Sequence, residues 1–139
     1  MAYWLMKSEP DAWSWHQQVK SGAKGEAWSG VRNHTAKQNL MKMKKGDRAF
    51  FYHSNVGKEI VGIVEIMHEH HPDPTAKTSE PWVVVDVKAV EPLPKPVTLE
   101  AIKQEPKLKD MALLKLSRLS VQPVTDTEWK LVCKMGGMK

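Results

Sequence analysis

Alternating and continuous apolar runs along the chain predict about five or six short strands. Five such runs cover residues 3–6, 48–54, 59–69, 82–90 and 118–121. In the fourth run the odd positions are apolar while Asp86 and Lys88 are charged, so one face of this strand should meet a core and the other face water. Residues 55–58 (NVGK) separate the second run from the third and predict a hairpin. The prolines at positions 92, 94 and 96 should end the fourth strand.

Helical periodicity predicts two helices in the first third of the chain. Ser8, with the proline and acidic residues around it, has the pattern of a helix start. This helix should run to about Ser21, and its core face consists of Ala12, Trp15 and Val19. The second helix buries Ala36, Leu40 and Met43. Asn33 lies one turn earlier on that face, and because a buried unpaired amide costs about 1–3 kcal/mol, it should either cap the helix or belong to a site.

The C-terminal third predicts three short helices. Residues 98–104 and 109–115 have helical patterns, and residues 125–128 (TDTE) match a capping box. The last helix should present Trp129, Val132 and Cys133 on one face. Residues 136–139 are expected to form a disordered tail.

These elements indicate the α+β class, because strands and helices do not alternate regularly as a doubly wound parallel sheet requires. We expect a small mixed, partly closed β-barrel of five or six strands with peripheral helices. A chain of 139 residues has room for one core, so residues 1–135 should form a single domain.

Composition narrows the classes of partner. The net charge of +5 is carried mostly by lysine, which suits a polyanion but also simply confers solubility. No apolar run approaches the roughly 20 residues of a membrane span, and charged residues interrupt the N-terminal run before a signal peptide could develop. Cys133 is the only cysteine in the sequence, in agreement with a reducing compartment. We expect a cytoplasmic protein without a membrane partner.

Catalytic motifs are weak. His68 and His70 would share one face of a strand, and with His71 they offer an alternative function as a small metal-assisted hydrolase. His53 and Ser54 should point to opposite faces, and no G-x-S-x-G elbow surrounds the serine. No glycine pattern matches a phosphate-binding loop. The sequence therefore favours a protein that is not an enzyme and needs no cofactor or metal.

Residues 28–33 (WSGVRN) form the most unusual segment, because Trp28 lies outside any apolar periodicity. The indole is either a structural plug or an exposed stacking surface. Arg32 offers a bidentate donor and Asn33 an amide beside it, at the start of a helix whose amino end favours phosphate. Stacking of one base on an aromatic ring contributes about 1–3 kcal/mol, so this segment predicts a base site.

The chain resembles the EVE domain proteins, a family with the PUA-like fold that is related to YTH domains. The similarity rests on Ala36 and on residues 3–10 (YWLMKSEP), 28–33, 51–55 (FYHSN), 72–74 (PDP) and 118–124 (RLSVQPV). It implies a non-catalytic module that accepts a flipped, modified base of DNA or RNA, such as methylated or hydroxymethylated cytosine or methylated adenine. A nuclease or a modifying enzyme would be its protein partner. A free nucleoside is the alternative ligand.

The resemblance also implies a set of site residues. Those that would line the ligand pocket are Trp4, Lys7, Ser8, Glu9, Trp28, Ser29, Gly30, Val31, Arg32, Asn33, Ala36, His53, Ser54, Arg118 and Ser120. Lys37 and Arg32 would contact phosphate. His34 and Lys37 stand where the family often has an aromatic residue and an arginine, and the segment 75–81 is shorter than usual, which leaves the identity of the ligand more open than the fold.

Overall fold

One mixed six-stranded sheet organises the protein in the computed structural model, which describes residues 1–55, 57–77 and 79–138. The strands are β1 (Tyr3–Ser8), β2 (Glu26–Ala27), β3 (Arg48–His53), β4 (Glu59–Pro72), β5 (Val83–Thr98) and β6 (Val121–Val124). Their spatial order is β2-β5-β4-β3-β1-β6. Only the β1/β3 pair among these neighbours is parallel. The sheet is open, with β2 and β6 at its edges, and the predicted α+β class and strand number are confirmed.

Five α-helices surround the sheet in the described part of the chain. They are α1 (Trp15–Lys20), α2 (His34–Lys42), α3 (Leu99–Gln104), α4 (Ala112–Lys115) and α5 (Asp126–Met135), with 3₁₀ turns at Gly22–Lys24 and Pro106–Leu108. None of the described helices has the length and apolar character that crossing a bilayer requires.

The sheet carries a hydrophobic core on each face, because successive strand residues point to opposite sides. Met6 and Phe51 face the first core, where α2 contributes Leu40. Leu5 and Phe50 face the second core, which helices α3 to α5 cover. All five of these side chains are fully buried, and each contributes about 1.5–3 kcal/mol by leaving water.

The predicted start of the first helix is wrong. Ser8 is the last residue of β1 and pairs with His53 of β3, and its hydroxyl donates to the carbonyl of Trp13. The helix begins later, after a capping box formed by Ser14 and Gln17. Of the predicted core face only Trp15 is packed against the core, since Ala12 is exposed before the helix begins, Val19 is 47% exposed, and Gln18 is buried instead.

The prolines do not end β5, which continues to Thr98. Beyond residue 90, β5 pairs with β4 on one side only, because its other neighbour β2 reaches no further than Val87. A strand edge without a partner tolerates residues that lack an N–H donor. The last strand also differs from its predicted range of 118–121: β6 covers Val121–Val124, and Leu119 donates to Leu116 in a turn before it.

Other predictions agree with the structure. The hairpin joins β3 to β4, although Val56 of its loop lies outside the described residues. Thr125 and Glu128 form the capping box of α5, and α2 buries Ala36 and Leu40, with Met43 buried at its C-cap.

Residues 136–138 do not leave the domain as a free tail. The N–H of Met138 donates to the carbonyl of Cys133, and the carbonyl of Gly136 accepts from the N–H of Lys95 in β5. These bonds close the last turn of α5 against the sheet. Lys139, the last residue of the predicted tail, lies outside the described residues. The cytoplasmic location of the protein stays a prediction.

Candidate functional site

A cavity of about 380 Å³ opens where β1 ends, opposite the segment that follows β2. Its walls come from two stretches of chain and consist of Lys7, Ser8, Glu9, Ala12, Trp13, Glu26, Ala27, Trp28, Ser29 and Gly30. Six of these residues belong to the predicted site: Lys7, Ser8, Glu9, Trp28, Ser29 and Gly30. The size falls within the range of small-molecule sites in proteins.

Trp28 forms a fixed wall of this cavity. Its side chain is only 6% exposed and packs edge-to-face on Phe51, with ring centroids 5.4 Å apart. The backbone N–H of Trp28 donates to the carbonyl of Val85 at 2.8 Å, which ties residues 28–30 to β5. The ring is buried in the first core, so of the two predicted roles the structure supports the structural plug, although Trp28 also borders the cavity.

Trp13 is a second indole in the cavity lining, and sequence reasoning missed it. Its Nε1 donates to Oε1 of Gln18 at 2.8 Å, and the buried amide of Gln18 donates in turn to the carbonyl of Val87 at 3.2 Å. This chain of hydrogen bonds fixes the ring. The sequence does contain a signal for its position: Ser14 and Gln17 have the spacing of a capping box, which places Trp13 in the loop before α1 rather than inside a helix.

Polar groups of both signs border the cavity. Nζ of Lys7 donates to the carbonyl of Ser117 at 2.6 Å, and burial lowers the pKa of this ammonium group below its ordinary value. Glu9 and Glu26 add two carboxylates. Donors and acceptors are thus available together, as recognition of a base edge requires.

Asp73, which lies after β4, holds the second wall in place. Its Oδ2 accepts from the N–H of Gly30 and from Nη1 of Arg32, each at 3.0 Å. Its Oδ1 accepts from the N–H and the hydroxyl of Thr75. Burial alone would raise the pKa of the Asp73 carboxyl, but the hydrogen bonds from Thr75, Gly30 and Arg32 outweigh it and lower the pKa to about 2.

Arg32 and Asn33 do not line the cavity. The guanidinium of Arg32 is engaged with Asp73 and also donates to Thr75 at 3.2 Å. Oδ1 of Asn33 accepts from the N–H of Ala36 at 2.9 Å, so of the two roles predicted for this amide, the helix cap is the one observed.

Three other predicted residues lie in the first core. Trp4, Val31 and Ala36 are buried there. Nε1 of Trp4 donates to Oδ2 of Asp47 at 3.2 Å, in the turn after α2. These side chains support the sheet and α2 and are not among the residues that line the cavity.

The remaining predicted residues are not among those that line the cavity. Nε2 of His53 accepts from the backbone N–H of Trp15 at 3.0 Å. The backbone N–H of Ser54 donates to the carbonyl of Ser8. The carbonyl of Ser120 accepts from the N–H of Lys7 at 2.8 Å. Arg118 is exposed in the turn before β6, and Lys37 is half-buried on α2. The bonds of Ser54 and Ser120 thus hold β1, and that of His53 holds the start of α1, but none of the three lines the cavity.

The histidines of β4 form a different group from the predicted one. Nδ1 of His68 and Nε2 of His71 both contact Oδ2 of Asp86, at 2.8 and 3.0 Å. An irregular register between these two histidines brings them to one face, and His70 takes no part. Among residues 1–55, 57–77 and 79–138, no group of three or more His, Cys, Asp or Glu side chains is arranged to hold a metal ion.

The fold and the cavity define a small α+β domain that offers a solvent-open recess beside its sheet. Residues 2–135 match the EVE domain model, and the chain belongs to the EVE domain family. Thymocyte nuclear protein 1 of mouse is 37% identical over 96% of this chain and 73% of its own length.

Solved structures agree with this assignment. The structure of Rpa0253 from Rhodopseudomonas palustris is 67% identical, with a TM-score of 0.93, and the match covers 99% of this chain and 94% of the other. The structure of human THYN1 protein in complex with DNA containing 5-methylcytosine is 31% identical, with a TM-score of 0.91, over 100% and 99% of the two chains. A YTH domain of Zygosaccharomyces rouxii, 19% identical with a TM-score of 0.59 over 99% of this chain and 85% of the other, shares the fold.

Proposed function

We propose that this protein binds a modified base of a nucleic acid in the cavity between Trp13 and Trp28, without catalysing a reaction. What supports the proposal is a cavity of about 380 Å³ that has Trp13 and Trp28 among its lining residues, each fixed by its own contacts. The similar human protein is bound to DNA that contains 5-methylcytosine, which supports a nucleic acid as the partner.

The physical requirements of base binding fit this cavity. A base swung out of its stack costs a few kcal/mol, which aromatic contact and hydrogen bonds to its edge must offset. Trp13, which is half-buried, supplies most of the aromatic surface, because Trp28 is only 6% exposed. Lys7 and Glu9 supply a donor and an acceptor. A buried methyl group adds about 0.8 kcal/mol, so we expect about fourfold preference for a methylated base from that contact alone.

Trp13 is the better residue for a test, because Trp28 also supports the core. Truncation of a buried tryptophan typically costs about 3–5 kcal/mol of stability, so Trp28→Ala would confound binding with unfolding. Trp13 is only half-buried. Tyr3→Ala is a matched control, since Tyr3 is a half-buried aromatic residue that packs against the second core.

The experiment measures affinity for DNA oligonucleotides with one 5-methylcytosine and for RNA oligonucleotides with one N6-methyladenosine, each beside its unmodified form. We expect Trp13→Ala to weaken binding of the preferred modified oligonucleotide by about 5- to 150-fold, as loss of about 1–3 kcal/mol of stacking implies. Tyr3→Ala should leave this affinity unchanged. Equal affinities of the wild type and Trp13→Ala would overturn the proposal.

A further inference from the structure

A second cavity, of about 560 Å³, lies on the opposite side of the sheet, beneath α5. It shares no lining residue with the first cavity. Strands β1, β3 and β4 contribute Tyr3, Arg48 and Ile63, and α5 contributes Trp129, Lys130 and Lys134. The proposed base-binding function does not use this cavity.

The apolar part of the second cavity is built around Trp129. The indole stacks on Phe50, with ring centroids 3.9 Å apart, and on Tyr3 at 4.3 Å. Interplanar angles of 18° and 13° show that the three rings are nearly parallel. Trp129 is therefore held rigidly and is only 7% exposed, so the aromatic surface open to a guest comes mainly from the half-buried ring of Tyr3 that it fixes in place.

The charges around this aromatic surface are mostly positive. Arg48, Lys130 and Lys134 border the cavity, and Glu91 is the acidic residue among its lining groups. Lys130 and Lys134 are exposed and four residues apart on α5, so they lie on one helix face. An anion would therefore be attracted to this cavity more than a neutral molecule.

Arg48 has hydrogen-bonding capacity that the described residues do not use. Its Nε is buried and finds no acceptor among them. Its Nη2 lies 3.8 Å from Oε1 of Glu65, beyond hydrogen-bond distance, and Glu65 also faces Nζ of Lys88 at 3.7 Å. Nε is closed off from solvent, but the Arg48 side chain as a whole is 36% exposed, and its exposed guanidinium nitrogens would donate to an oxyanion in the cavity.

We infer that the second cavity binds a small organic anion with a flat aromatic body. The body lies against Tyr3, whose ring Trp129 supports, and the oxyanion lies between Arg48 and the two lysines of α5. A carboxylate, a sulfonate and a phosphate monoester share the chemistry that this arrangement recognises. The volume is within the range of small-molecule sites.

The test uses 8-anilinonaphthalene-1-sulfonate, an aromatic sulfonate whose fluorescence rises on binding. We expect saturable binding of one molecule per chain and its displacement by 1-naphthoate or 1-naphthyl phosphate. Neutral 1-naphthalenemethanol should displace it at concentrations about tenfold higher or more, because it lacks the charge. Equal displacement by the neutral and the anionic compounds would overturn the inference.

Cys133 locates the bound probe, because it lines this cavity and is the single cysteine of the sequence. Saturating probe should slow alkylation of Cys133 by N-ethylmaleimide at least about fivefold, as burial of the thiol under a ligand implies. An unchanged alkylation rate would place the probe elsewhere and overturn the inference.

Charge reversal completes the test. Lys130→Glu combined with Lys134→Glu should weaken probe binding about tenfold or more, with unchanged affinity for modified oligonucleotides. The matched control reverses Lys103 and Lys107, two exposed lysines outside this cavity, and should leave probe binding unchanged. Equal effects of the two double variants would contradict the inference while leaving the proposed base site untouched.

Discussion

The carboxylate of Asp73 accepts a hydrogen bond from the backbone N–H of Gly30 at 3.0 Å, across 43 positions of the sequence. This bond, with the one from Arg32 to the same oxygen, joins the loop after β4 to the segment that forms one wall of the first cavity. The shape of that wall thus depends on a buried charge outside the cavity.

Asp73→Asn should destabilise the protein by about 2 kcal/mol at pH 7, because lowering the carboxyl pKa from its ordinary 3.8 to about 2 on folding corresponds to roughly that free energy. A carboxyl whose pKa is lowered by folding adds stability above its unfolded pKa. This stability is lost as the pH falls from about 4 towards 2. Urea unfolding of both proteins at pH 7 and pH 2.5 measures the difference.

Asp110→Asn is the control for this prediction. A bond from Lys115 lowers the pKa of Asp110 as well, but the pair is exposed and screened by water. We expect no measurable loss of stability from Asp110→Asn. A difference between wild type and Asp73→Asn that is the same at both pH values would contradict the role assigned to the Asp73 charge.

Gly62→Ala should destabilise the protein by about 1–3 kcal/mol, as overpacking of a core does. An added Cβ would overlap the indole of Trp15, which packs edge-to-face on Phe51. The clash should be relieved when Trp15 is shortened to leucine, so the two substitutions should be strongly non-additive in a double-mutant cycle. Additive losses in thermal or urea unfolding would show that ring and glycine are not in direct contact.

The structure explains which elements could be predicted from the sequence. The capping box of Thr125 and Glu128 is local, and it identifies the start of α5 without any tertiary information. Ser8 has similar local features, but its pairing with His53 in the parallel ladder keeps it in β1. The prolines of β5 are tolerated for a reason that only the strand order reveals, namely the short neighbour β2.

The candidate site could likewise be predicted only where a local sequence signal marked its residues. Trp28 stood out because it broke the apolar periodicity, and it does line the cavity. Trp13 was hidden inside a helix that was predicted too long. Asp73 organises the wall through contacts more than 40 positions apart, and a single sequence carries no signal of such a contact.

His53 should make the stability of the protein decrease as the pH falls below about 6.5, the ordinary pKa of a histidine. Burial lowers the pKa of its imidazole, although Glu59 raises it in part, and Nε2 must be unprotonated to accept from the N–H of Trp15. The folded state therefore binds fewer protons, so the stabilisation is present above about pH 6.5 and is lost as the pH falls.

A glutamine at this position separates the effect of His53 from those of the other histidines. Its amide oxygen can accept a hydrogen bond and does not titrate in this range. Urea unfolding should show that wild type loses more stability than His53→Gln between pH 7.5 and pH 5. Parallel losses in the two proteins would mean that protonation of His53 is not coupled to folding.

Lys37→Ala should weaken oligonucleotide binding without changing the preference for the modified base. The resemblance to EVE domains assigns Lys37, on α2, to the phosphate backbone, and a phosphate contact carries no information about the base. Each such contact on duplex DNA contributes about 0.9 to the slope of log affinity against log salt concentration, so the slope should fall by about that amount. Lys103→Ala, on α3 beside the second core, is the control and should leave the slope intact. If the wild type itself binds with almost no salt dependence, the ligand is a free nucleoside and the phosphate role of Lys37 is wrong.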